Sequence, residues 1–137
     1  MLNGKDFVTS FKAETEARFH PISGCTPNDI EQDILIYLQS KIKGYGLEID
    51  IIDLALSGSR CRGLEKDGSD LDVVVEYEGN ISEDALFDIF HEDCFAIDGI
   101  TVDINPIEHG KTGTLETYLP LVETYLGKEY VSVCADT

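Results

Sequence analysis

Positive charge is scarce in this chain. Lys and Arg together number 10 against 27 Asp and Glu, a formal net charge of −17 over 137 residues, whereas a protein that grips a polyanion presents clustered cations. Long nucleic acid is therefore not the expected substrate. The acid surplus keeps a small protein soluble; it also suits a basic partner protein or, at the extreme, an acidic decoy that imitates DNA. Zinc-type cysteine patterns are missing too. Cys25, Cys61, Cys94 and Cys134 include no CxxC pair and no Cys/His cluster of zinc spacing, so reduced thiols in a cytoplasmic protein are expected. No run reaches the roughly 18 consecutive apolar residues of a membrane span, and the opening MLNGKDFVTSFKAETEARF lacks the apolar core of a signal peptide. Repeats and low-complexity segments are absent. The length suits one hydrophobic core but leaves no room for a second lobe that would bind an acceptor.

What is present reads as one domain over residues 1–137, with a helical segment over about 1–45, a core over about 46–127 and a tail over 128–137. Phe7, Phe11, Ala17 and Phe19 mark a weak first helix that Pro21 and Gly24 break. Thr26 is a good N-cap, Pro27 suits the first helical position, and Ile30, Ile34, Leu35, Leu38 and Ile42 form an apolar stripe that Gly44 and Gly46 end. Leu47 to Leu56 reads as a strand, and Leu71 to Tyr77 as a second whose Val73, Val74 and Val75 imply burial on both faces. Ser82 caps a helix through about Phe90 with Ala85, Leu86, Ile89 and Phe90 inward, and a third strand runs from about Ile100 to Ile107. Thr112 or Thr114 opens a last helix, in which Leu115, Leu119, Val122 and Leu126 repeat until Gly127 stops it. The tail, with Tyr130, Val131 and Val133, adds an edge strand or stays loose. This order predicts an α/β (α+β) fold, a small mixed sheet with helices packed against it.

The chemistry concentrates in GSRCRGLEKDGSDLDVVVEY, from Gly58 to Tyr77. Gly58 and Ser59 follow a strand and precede an expected turn of helix, so backbone N–H groups there can point at phosphate oxygens, and Gly58 has no side chain to block the approach. Arg60 and Arg62 can neutralise phosphate charge, or pair with neighbouring acids such as Glu65 and Asp67. On one strand Asp70 and Asp72 share a face, about 6 to 7 Å apart at their β-carbons, close enough to converge on divalent ions, and hard oxygen ligands favour magnesium or manganese. Asp103 interrupts the apolar run ITVDINPI; if its strand neighbours the first, it completes three carboxylates and can take a proton from an attacking hydroxyl. Such a set suits phosphoryl chemistry with a nucleoside triphosphate. Gly110-Lys111-Thr112 ends like a P-loop, but that motif needs Gly where Asn105 stands. His109 lies near the end of the Asp103 strand, where it is either an aid to the site or structural.

The pattern G-S-x3-G-x5-S-D-x-D is met without a gap by Gly58, Ser59, Gly63, Ser69, Asp70 and Asp72. It resembles the DNA polymerase β-like nucleotidyltransferase superfamily, especially its minimal members, over about residues 47–126. The resemblance implies that Gly58 and Ser59 bind the nucleotide phosphates, where Arg60, Arg62 and Ser69 are also expected, and that Asp70, Asp72 and Asp103 are catalytic and hold Mg2+ or Mn2+. It also implies a partner: minimal domains of this look pair with a helical protein in toxin and antitoxin systems, and others modify antibiotics. The expected activity is transfer of a nucleoside monophosphate, AMP from ATP, to a hydroxyl of a protein or small molecule. The competing expectation is a catalytically weak, antitoxin-like binding module.

Overall fold

Local signals and long-range packing agree most closely in the second helix, which shows how the fold is anchored. The computed structural model describes the backbone of residues 4–135 and the side chains of residues 6–126. In helix α2 (Pro27–Tyr45) the Thr26 hydroxyl accepts from the Asp29 N–H and the Asp29 carboxylate accepts from the Thr26 N–H, a reciprocal cap that satisfies two otherwise unbonded donors. Gly46, at φ +64°, closes the other end in the left-handed conformation. Between these caps Ile30, Ile34, Leu38 and Ile42 are buried.

Helix α1 (Gly4–Arg18) buries Val8, Phe11 and Thr15, and Phe19 packs just beyond its end. Ala17 is exposed, contrary to expectation, because the inward row runs 8, 11, 15 and 19, the spacing of one helix face.

Strands β1 (Ile49–Ser57), β2 (Leu71–Gly79), β3 (Ala96–Ile97) and β4 (Ile100–Glu108) form a mixed sheet in the order β1-β2-β4-β3. β2 runs antiparallel to β1 and parallel to β4. Its three valines are buried on both faces, as expected of a strand between two neighbours. Helix α3 (Glu83–His91) makes the crossover to β4, with Ser82 as its cap and Leu86 and Phe90 buried. Ala85 is exposed rather than inward. The short β3 escaped the sequence reading; it pairs with β4 through Asp98-Gly99, both at positive φ, the geometry of a two-residue hairpin turn.

Helix α4 (Leu115–Ala135) opens after Thr114, whose hydroxyl accepts from the Thr117 N–H. The helix does not stop at Gly127. A glycine inside a helix costs about 1 kcal/mol relative to alanine but ends it only by turning left-handed, and here the backbone stays helical to Ala135. The tail is therefore not an edge strand; the side chains of Tyr130, Val131 and Val133 lie outside the described residues. The buried Glu76 of β2 accepts from the Leu115 N–H and pairs with His109 at 2.6 Å, tying the start of α4 to the sheet. Among the described residues this makes an α+β arrangement of four helices and one four-stranded sheet. No described helix is long and apolar enough to cross a membrane.

Candidate active site

The antiparallel register sets Ser57 opposite Asp72, and the parallel register sets Asp72 opposite Asp103. A row of three polar residues thus crosses three adjacent strands, each pair of strands about 4.8 Å apart. At one end of the row the chain leaves β1 through Gly58, with φ +68° and ψ −170°, and enters a single 3-10 turn, Ser59–Arg62. A β-carbon on Gly58 would stand 2.0 Å from the Asp72 carboxylate oxygen. Glycine is required there twice over, by its backbone angles and by the carboxylate packed against it.

Burial pushes the Asp72 carboxyl up to about 6, and the negative charges of Asp103 and Asp70 add to the shift. Among the described residues no Lys or Arg lines the cleft around Asp72 to offset that charge. At the other end of the row, His91 lies beside Asp103. Its Nε2 lies 3.1 Å from the Ile104 N–H and 3.2 Å from Asp103 Oδ1, while Nδ1 lies 2.7 Å from the Phe87 carbonyl. A ring protonated on Nδ1 donates to Phe87 and accepts from Ile104. His91 belongs to no motif, so nothing in the spacing of residues pointed to its place.

Of the expected site residues, Asp72 and Asp103 come together with Gly58 beside them. Asp70 is exposed just ahead of β2, and its charge reaches Asp72, but among the described residues no three His, Cys, Asp or Glu side chains form a group able to hold a metal. The expected triad of carboxylates is instead an adjacent pair with a third charge nearby. That pair suits magnesium, which is commonly held by one or two carboxylates together with substrate phosphates rather than by a cage of protein ligands.

The remaining expected residues shape the loop. Arg60 Nε donates to the Ser69 carbonyl at 2.9 Å, and Ser69 Oγ accepts from the Lys66 N–H at 3.0 Å. Ser59 lies at the start of the 3-10 turn, its hydroxyl making no hydrogen bond among the described residues. Arg62 is not in the cleft and not paired with Glu65 or Asp67. Its buried guanidinium donates to Thr15 Oγ1 at 2.7 Å, pairs with Glu123 at 2.8 Å and stacks on Phe11. Burial pushes the neighbouring Cys61 thiol up to about 11, which leaves it protonated and inert. His109 is held by Glu76 and Lys111 by Glu108, both away from the aspartates.

The row of polar residues forms one side of a cleft of about 500 Å³. Beside the core residues Val73, Val74, Val122 and Leu126, the cleft is lined by Asn105, Phe87 and the α4 residues Tyr118, Leu121 and Tyr125, five that sequence reading had missed as site residues. A second cavity, about 590 Å³, opens at the other end of β2 near Asn80 and Glu83 and holds none of the motif residues.

A mixed sheet with a glycine-serine turn leading into paired strand aspartates defines a nucleotidyltransferase-like fold. A family model for the nucleotidyltransferase domain matches residues 38–111, and the chain belongs to that family. The matched span covers α2's last turns, the glycine turn, Asp72 and Asp103. No curated protein matches the chain, and no solved structure does.

Proposed function

We propose that the protein transfers a nucleoside monophosphate, AMP from ATP, to a hydroxyl of a protein or small-molecule acceptor and releases pyrophosphate. The observation that carries this reading is the aligned row of Ser57, Asp72 and Asp103 next to the Gly58-Ser59 turn. The turn receives the β- and γ-phosphates on backbone N–H groups. Asp72 and Asp103, with Asp70 nearby, hold magnesium or manganese, which when bound neutralises phosphate charge and orients the triphosphate. Asp103 takes the proton of the acceptor hydroxyl as its oxygen bonds to the α-phosphorus and the bond to the bridging oxygen of pyrophosphate breaks. His91, by accepting from the Ile104 N–H, holds the β4 backbone next to Asp103. The described cysteines, Cys25, Cys61 and Cys94, are free thiols, which fits work in the reducing cytoplasm.

Incubation with magnesium, labelled nucleotides and candidate acceptors tests the reading. Asp72→Asn lowers label transfer on the order of a hundredfold or more, and at pH 7 it raises the melting temperature by removing a buried charge from beside Asp103 and Asp70. Equal labelling by the variant refutes the proposal.

A second reading is an antitoxin-like module that acts by docking on a partner. The absence of a ready-made three-ligand group among the described residues favours it. Neutralisation of a partner that survives Asp72→Asn supports docking, and loss of neutralisation supports catalysis.

A further inference from the structure

Six large apolar side chains stand out as exposed among the described residues, and three of them, Phe87, Leu121 and Tyr125, rim the one cleft that holds Asp72 and Asp103. Leu121 and Tyr125 are 68% and 66% exposed. Solvent-facing apolar surface gathered beside a polar floor is a mark of a ligand site. The geometry points to a nucleoside subsite on α4: the base and ribose of the triphosphate lie over Val74 and Asn105 and against Tyr118, Leu121 and Tyr125. This rests on the proposed nucleotidyl transfer and extends it to the part of the nucleotide that does not react.

Stereochemistry chooses the occupant. In an in-line displacement the attacking oxygen and the leaving pyrophosphate lie on one axis through the α-phosphorus. Here that axis runs across the strands, from the Gly58 turn past Asp72 to Asp103, following the register. The nucleoside is joined to the same phosphorus through an oxygen off that axis, so it leaves sideways. The next register pair on the same face is Val74 and Asn105, reached by moving along the strands, at right angles to the axis. The α4 side chains stand over that floor. The acceptor then approaches from the far end of the axis, beyond Asp103, where Phe87 on α3 lies.

The chemistry of the wall agrees. Among the described residues no Lys or Arg lines the cleft, so the described wall offers little to phosphate and much to an uncharged planar ring. Asn105 Nδ2 donates to the Tyr118 hydroxyl at 3.0 Å. Among the described residues neither side chain has another hydrogen-bond partner, which leaves the Asn105 carbonyl oxygen as an acceptor and the Tyr118 O–H as a donor for ribose hydroxyls or a base edge.

Calorimetric titration with ATP and with inorganic triphosphate, both in magnesium, separates this subsite from the phosphate site. Tyr125→Ala and Leu121→Ser, at positions too exposed to disturb the core, weaken ATP binding at least about fivefold and leave inorganic triphosphate unchanged. ATP binding that is unchanged in both variants, yet lost in Asp72→Asn, overturns the subsite and leaves nucleotidyl transfer standing; the wall then serves an acceptor or a protein partner. Equal weakening of both ligands also overturns it. Wild-type protein that binds neither ligand overturns the subsite and the proposed function together.

Discussion

Gly58 shows how narrowly one position is constrained. Its backbone angles fall in a region open essentially to glycine alone, where other residues incur strain of about 1–3 kcal/mol, and the Asp72 carboxylate occupies the space a methyl group would need. Gly58→Ala therefore lowers the urea midpoint and abolishes label transfer, because the only relief is to move Asp72 out of line with Asp103. A change of equal size at Gly68, with open space around it, has no such effect on transfer, although its φ of +83° still costs stability. Comparing the two variants by denaturation and by transfer separates backbone strain from displacement of the carboxylate.

At the scale of elements, Arg62 joins the glycine loop to α1 through Thr15 and Phe11 and to α4 through Glu123. The loop is thus braced from behind by two helices. Arg62→Met removes a charged hydrogen bond and a ring contact, with an expected loss of about 2 kcal/mol in urea unfolding, while the affinity for inorganic triphosphate is unchanged. A loss of affinity without a loss of stability would restore Arg62 to the phosphate site. On α2, burial pushes the Glu31 carboxyl from 4.5 up to about 7, outweighing the attraction of Lys12 and the Leu56 backbone hydrogen bond; Asp53 and Glu16 push it the same way. A raised carboxyl favours its protonated form in the fold, so its contribution to stability is full below pH 4.5 and is lost as pH rises through 7. Melting temperatures of the wild type fall across that window relative to Glu31→Gln, whose curve is flatter there; parallel curves would show that Glu31 does not carry the effect.

At the scale of the whole molecule, the net charge of −17 makes the folded chain repel itself. Raising sodium chloride from about 50 to 500 mM screens that repulsion and raises the melting temperature; a salt-independent melt would mean that the acids are paired locally instead. The same charge bears on the site. On the proposed function, with no Lys or Arg among the described residues that line the cleft, the carboxylates would depend on the metal and the triphosphate arriving together, and on backbone N–H groups rather than on a basic patch.

The sequence by itself determined what neighbouring residues decide among themselves. Thr26 and Ser82 cap their helices because a side chain three residues away can reach the free N–H, the valines of β2 declare a buried strand, and the spacing from Gly58 to Asp72 declares a glycine turn leading into carboxylates. Only the tertiary structure decided where those carboxylates point and what surrounds them. Asp72 meets Asp103 through strand register, His91 reaches Asp103 from a different element, and Arg62 turns toward Glu123, 61 residues away, rather than toward its acidic neighbours. The apolar wall of the cleft was hidden for the same reason: Leu121 and Tyr125 look like ordinary helix residues until α4 is laid beside β2. Chain-local chemistry is written in spacing, whereas burial and convergence depend on which distant surfaces exclude water from one another.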